Sequence, residues 1–237
     1  MHWDDYDAAL FDLDGVITPT AEIHMHAWER MFSGFLRDHA PDQPAYTDQD
    51  YFDHVDGRPR YEGVAHFLAS RGIELPHGEP SDPEDALTVC GLGNRKNAVF
   101  TEVLREEGIA AYPGSLRLIE HLERAGVAMA VVSSSKNAAD VLATAGLGQR
   151  FPVLVDGVVA AERGLPGKPE PDTYAYAAQQ LGVPTSRAVV LEDAVSGVRA
   201  GAAGDFGLVV GVDRGAGRQV LLDGGADVVV GDLEELL

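Results

Sequence analysis

Asp12-Leu13-Asp14-Gly15 places two carboxylates one residue apart at the end of the apolar run Ala8-Ala9-Leu10-Phe11. On an extended strand residues i and i+2 point the same way, so Asp12 and Asp14 can serve one site, and Gly15 lets the backbone turn beside them. Three more groups with chemical potential stand after apolar runs or in the loops between them: Ser133, Lys168 and the pair Glu192-Asp193. Carboxylates are hard ligands suited to Mg²⁺, which makes Asp12, Asp14, Glu192 and Asp193 the candidate metal ligands. Beside such a cation, Lys168 and Ser133 would hold phosphoryl oxygens, and Asp12 would be the nucleophile that forms an aspartyl-phosphate. Asp14, with an ordinary carboxyl pKa of about 3.9, must be held protonated by its surroundings. It could then act as acid for the leaving group and as base for the acceptor.

Taken singly, each group has a plainer reading: a strand-end cap for Ser133, a solvated lysine for Lys168, a helix N-terminal acid pair for Glu192-Asp193. What joins them is the pattern of elements. From Tyr112 onward the chain alternates helical stretches (115–125, 137–145, 171–181, 196–203) with short apolar runs (127–132, 153–155, 188–191, 206–212, 227–230). That alternation predicts an α/β fold with a doubly wound parallel sheet, whose strands bring their C-terminal ends to one edge. Residues 19–111 read differently. A helix opens at Glu22 with Ile23, Ala27, Met31 and Phe35 at helical spacing, and two more helices cover 61–70 and 95–107, with an irregular Pro- and Gly-containing stretch at 71–93 between them. The expected organisation is an α/β core of 1–18 with 112–237 and an inserted all-helical domain of 19–111.

With 38 acidic and 18 basic residues in 237, the formal net charge is −20. Such a charge opposes nucleic acids and anionic membranes, and neither is expected as a partner. It also makes each cation beside a candidate site informative. Cys90 is the single cysteine, so no intrachain disulfide forms. No apolar run reaches membrane-spanning length, and Met1-His2-Trp3-Asp4-Asp5 lacks the pattern of a signal peptide, so a cytoplasmic location is expected.

In the order Asp12-Leu13-Asp14-Gly15, Ser133, Lys168, Glu192-Asp193, these groups resemble the four motifs of the haloacid dehalogenase (HAD) superfamily of phosphotransferases. The resemblance runs from Phe11 to about Ala200. It implies a Rossmann-like core, a helical cap and Mg²⁺ as cofactor, and Asp14 points to the phosphoryl-transfer branch. Within that branch the chain is most similar to the β-phosphoglucomutase family, through Phe11 to Thr18 and through Thr20, His24 and Trp28 of the first cap helix. By that resemblance Thr20 and His24 couple cap closure to the acid/base aspartate. Gly57 and Arg60 match a cap loop whose arginine holds the phosphate not being transferred. Lys96 and Asn97 face the sugar, and Ser135, Lys136 and Asn137 grip the distal phosphate from the core. Gly63 departs from the pattern, standing where the family typically has serine.

Three readings follow. A monomeric mutase would hold a small phosphorylated sugar under the cap and exclude water. A phosphatase with the same four motifs would let water attack the aspartyl-phosphate. A phospho-aspartate signalling domain also places acids, a Ser/Thr and a Lys at a parallel sheet edge, but an inserted domain of roughly ninety residues suits a sequestered small substrate better.

Overall fold

The computed structural model describes residues 1–55, 58 and 60–237, so Gly57 of the candidate residues lies outside it. The chain forms two compact units, Met1–Thr20 with Ile109–Leu237, and Ala21–Gly108.

In the first unit six parallel strands lie in the order β3-β2-β1-β4-β5-β6. They are β1 (Ala8–Phe11), β2 (Ala128–Val132), β3 (Val153–Val155), β4 (Ala188–Glu192), β5 (Leu208–Val212) and β6 (Val228–Val230). β1 holds the centre. Ala8 pairs with Ala128 on one side and Ala188 on the other, and all four of its residues are buried. A strand covered on both faces needs no alternation, hence the unbroken apolar run. Alanines at Ala8, Ala130 and Ala188 leave room for helix α8 (Asp172–Leu181), whose Tyr174, Ala177 and Ala178 are fully buried in the same cluster.

The other helices of this unit are α5 (Pro113–Ala125), α6 (Ala138–Thr144), α7 (Gly157–Arg163), α9 (Val195–Ala203) and α10 (Arg218–Asp223). α7 and α10 are not among the helices expected from the sequence. α7 buries no residue and α10 only Leu221, so neither carries an apolar stripe, and α7 is held by its ends instead: Asp156 accepts the N–H groups of Val158 and Val159, and Gly164 closes it in the left-handed region.

Among the described residues the second unit contains helices and no strand. Helix α1 (Thr20–His39), whose first residue belongs to the α/β unit, is followed by α2 (Asp48–His54), α3 (Arg60–Ser70) and α4 (Val89–Glu107). Their core is aromatic: the Phe32 ring lies 3.9 Å from Phe67, 5.3 Å from Trp28 and 5.4 Å from Tyr46 between centroids. The irregular stretch ends at Thr88, and α4 begins six residues before the expected Arg95. Gly91 and Gly93 read as helix breakers, but a Cβ on either would collide, with Ala86 O at 2.4 Å and with the Tyr61 ring at 2.6 Å. They are small because neighbours press on them. The loop before α4 is pinned to it, with Asn94 Nδ2 donating to Asp82 O at 2.8 Å and Arg95 Nε to Glu84 O at 2.7 Å. No helix among the described residues is long and apolar enough to cross a membrane.

Phe32→Ala should cost about 3–5 kcal/mol of unfolding free energy, since it removes the ring that three others pack on. Urea unfolding followed by circular dichroism measures it. A loss under about 1 kcal/mol would mean the neighbours collapse into the gap.

Candidate active site

Each strand of the sheet centre gives up a polar group where its apolar residues end. After β1 the Asp12 N–H donates to Leu191 O at 2.9 Å, so the ladder extends to the first aspartate. β4 ends on Glu192, and Ser133 follows β2, its N–H bonded to Val155 O at 3.0 Å. The strands are added outward in one direction from β1 to β3 and in the opposite direction from β4 to β6, and at such a switch point open α/β sheets leave a crevice at the strand ends.

Lys168 ties these ends together. Its Nζ donates to Asp12 Oδ1 at 2.5 Å, to Glu192 Oε1 at 2.6 Å and to Val132 O at 3.1 Å, which accounts for all three ammonium protons. It sits 4.9 Å over the Tyr174 ring, and the Tyr174 hydroxyl donates to Glu192 Oε1 at 3.4 Å. The other Glu192 oxygen accepts the Ala194 N–H at 2.8 Å.

Carboxylate oxygens of Asp12, Glu192 and Asp193 lie within 4.8 Å of one another, a grouping that can hold a metal ion; Asp14 is not one of the three. The electrostatics fit a hard divalent cation. Burial, with Glu192 and Asp14 close by, raises Asp193 to about 7. Burial also pushes Asp12 well up, Lys168 opposing and Glu192, Asp14 and Asp193 adding to the rise. Burial acts to lower the Lys168 ammonium, but Asp12 and Glu192 outweigh it and hold it protonated. One ammonium cannot balance the carboxylates gathered there, and a second cation relieves the excess.

The loop after Asp12 turns through Gly15, whose φ is +79°. A Cβ there would stand 1.9 Å from Asp193 Oδ2, so only glycine permits this approach. The loop closes on itself, with Gly15 N–H donating to Thr18 O at 2.8 Å and Thr18 N–H to Leu13 O at 3.0 Å. Its three outward carbonyls are each taken from elsewhere in the unit: Gly15 O by Arg214 Nε at 2.8 Å, Val16 O by Ser115 Oγ at 2.7 Å, Ile17 O by Tyr112 N–H at 2.9 Å. Thr20 Oγ1 meets Thr18 Oγ1 at 2.7 Å. Ser133 Oγ accepts the Ser135 N–H and Ser135 Oγ the Asn137 N–H, so the run Ser133 to Asn137 turns sharply with Lys136 exposed.

In the helical unit, Lys96 is buried and its Nζ donates to His24 Nδ1 at 2.6 Å, lying 5.1 Å over the Trp28 ring and 5.0 Å over Phe100. An ammonium only donates, so Nδ1 accepts and the ring proton is on Nε2. Burial, then the charges of Lys96 and Arg60, hold His24 well below the usual histidine range, so it is neutral. Arg60 Nη2 donates to Asn97 Oδ1 at 2.8 Å. Thus His24, Trp28 and Lys96 form one cluster and Arg60 and Asn97 another contact, all within this unit.

Tyr174, Phe100, Ser115, Tyr112 and Arg214 were not candidates by sequence. Four of them act through rings or backbone carbonyls, which leave no motif. Arg214 carries a usable signal: it follows the end of β5, as the other site groups follow their strands, in a chain with few cations.

A family model described as haloacid dehalogenase-like hydrolase matches residues 6–205. A Mycobacterium bovis protein named beta-phosphoglucomutase is 49% identical over 241 aligned positions, covering 97% of this chain and 91% of that protein. Hexitol phosphatase A of Escherichia coli is 31% identical over 194 positions, covering 82% and 77%. Among solved structures, CbbY from Rhodobacter sphaeroides in complex with phosphate matches with a TM-score of 0.72 at 27% identity, covering 98% of this chain and 96% of that one.

The raised Asp193 has a consequence for stability. Between the ordinary 3.8 and about 7 the native state binds more protons at this group than the unfolded chain, so its contribution makes stability fall as pH rises through that window. In EDTA, Asp193→Asn should therefore gain on the unsubstituted protein by on the order of 2 kcal/mol between about pH 5 and about pH 8. Parallel urea-denaturation curves for the two proteins across that range would contradict it.

Proposed function

The chain belongs to the haloacid dehalogenase-like hydrolase family, and from that membership we propose that it is a β-phosphoglucomutase. It would convert β-glucose 1-phosphate to glucose 6-phosphate through a phosphorylated Asp12 and the 1,6-bisphosphate. The observation that supports this most is the near-complete match, at 49% identity, to a protein bearing that name.

Asp12 has one oxygen held by Lys168 and presents the other to the phosphorus. The new Asp12 O–P bond forms as the ester P–O bond breaks, and Asp14 gives a proton to the departing sugar oxygen. In the second half the 6-hydroxyl of β-glucose 1-phosphate gives its proton to Asp14 and takes the phosphoryl group from Asp12, forming the 1,6-bisphosphate, whose C1 ester supplies the first half of the next cycle and leaves glucose 6-phosphate. Ser133 and Lys168 hold the phosphoryl oxygens. Asp12, Glu192 and Asp193, with Asp14 beside them, would hold Mg²⁺, which would supply positive charge to those oxygens.

A mutase also needs a grip on the phosphate that is not moving. Arg60 with Lys136, Ser135 and Asn137 fills that role in this reading, together with Gly57, which lies outside the described residues. Thr20, His24, Trp28, Lys96 and Asn97 serve the sugar, with the neutral His24 offering its Nε2–H as a donor that does not titrate near neutrality. All these residues come from one chain, so a monomer suffices. The second reading, a phosphatase on a small sugar phosphate, draws on the hexitol phosphatase match. The two differ only in what attacks phospho-Asp12, a sugar hydroxyl or water.

³¹P NMR of the protein with Mg²⁺, β-glucose 1-phosphate and a trace of glucose 1,6-bisphosphate separates them. Glucose 6-phosphate should grow with little inorganic phosphate; growth of inorganic phosphate alone would make the enzyme a phosphatase. Arg60→Ala should lower turnover of β-glucose 1-phosphate by at least about tenfold more than hydrolysis of an aryl phosphate, which has no second phosphate to hold. Asp12→Asn should abolish the phosphoenzyme seen by intact-protein mass spectrometry, and a phosphate retained on that variant would refute Asp12 as nucleophile.

A further inference from the structure

Gly15 is the softest joint in the loop that carries Asp14, because a glycine at positive φ has no side chain to limit its torsions. Both of its peptide groups are held. Its N–H is fixed inside the loop by Thr18 O, while its carbonyl is fixed from outside by a single side chain, Arg214. Arg214 is itself braced. Asp213 Oδ1 accepts the N–H groups of Gly215 and Gly217 at 3.0 Å each, shaping the turn after β5 that presents the arginine. Arg214 Nη1 donates to Gly231 O at 3.2 Å, and the guanidinium carbon lies 3.8 Å over the centre of the Tyr112 ring. Tyr112 in turn holds Ile17 O through its N–H. Arg214 and Tyr112 thus form one stacked clamp that grasps the loop at two carbonyls two residues apart.

We propose that Arg214 is a positioning residue for Asp14: by fixing the Gly15 carbonyl it sets the direction in which the Asp14 carboxyl points, and so the enzyme's power to break esters whose leaving oxygen must be protonated. The inference rests on the reading of Asp14 as the acid. The contacts of Arg214 are with the Gly15 and Gly231 carbonyls, the Asp232 carboxylate and the Tyr112 ring. Asp12 does not depend on it in the same way, being held by the β4 ladder and by Lys168.

This difference gives the test. A sugar alkoxide leaves only with a proton, whereas nitrophenolate leaves without one, so a misdirected acid slows the first ester and not the second. For Arg214→Met, the ratio of kcat/KM on β-glucose 1-phosphate to kcat/KM on p-nitrophenyl phosphate should fall about 10- to 100-fold, part of what a general acid contributes. Most of the change should be in kcat. Asp14→Asn should shift the same ratio in the same direction, and Arg214→Lys, which keeps a charged donor, should recover part of it. Arg214→Lys also serves if the methionine variant does not fold. Equal losses on both esters, or no loss on either, would overturn the assignment by making Arg214 a stability residue. A wild-type enzyme that turns over p-nitrophenyl phosphate but no sugar phosphate would overturn the functional reading and this inference with it. A ratio moved by Arg214→Met but unmoved by Asp14→Asn would overturn Asp14 as the acid.

Discussion

The α/β unit is arranged around one imbalance of charge. Asp12, Glu192 and Asp193 converge at a sheet edge with a single ammonium between them. Lys168 uses every proton it has on three different strand ends, so it fastens the centre of the sheet as well as its chemistry. Removing one side of such a buried pairing leaves the other uncompensated, which is far more damaging than never having built it. The neighbours are fitted to this knot. Tyr174 lies beneath the ammonium, the Ala194 N–H closes the free side of Glu192, and Gly197 is bare because a Cβ there would fall 1.6 Å from Glu192 Oε1.

A second constraint is the shortness of the loop from Asp12 to Thr18. Its internal bonds consume Leu13 O and Thr18 O, and the carbonyls it turns outward are met by Arg214, Ser115 and Tyr112. Polar backbone at a buried site must find partners, and here they come from two distant parts of the sequence, Tyr112 with Ser115 and Arg214. The loop is pinned on both sides of the turn that follows Asp14. In the helical unit the corresponding constraint comes from Lys96, whose ammonium fixes the tautomer of His24 between aromatic rings.

Much of this is legible in the amino-acid sequence. Runs such as Ala8-Ala9-Leu10-Phe11 cannot be anything but buried, and the residues just after them inherit a place at the sheet edge. What stays hidden has physical reasons. Helices α7 and α10 bury almost nothing and so carry no apolar stripe, and the first is held by its caps. The start of α4 is obscured by Gly91 and Gly93, whose smallness answers Ala86 and Tyr61 and not a turn. Ser115 and Tyr112 work through one hydroxyl and one N–H, groups whose sequence context is silent about which carbonyl they will meet. The convergence of Asp12, Glu192 and Asp193 follows from strand order, whereas Asp14, the fourth candidate ligand, is not one of that triplet.

The strand order also decides when the protein can assemble. β1 is the first of the six strands to be made and the one that spans the longest stretch of chain before it is complete: Ala8 waits for Ala128 on one side and Ala188 on the other. Meanwhile residues Ala21–Gly108 complete a compact unit of their own. The middle of the sheet is therefore closed by long-range pairing after most of the chain exists, at a large cost in loop entropy and with a bare apolar strand exposed in the interval. Synthesis order thus makes the four residues that lead into Asp12 the segment most open to mispairing as the chain emerges.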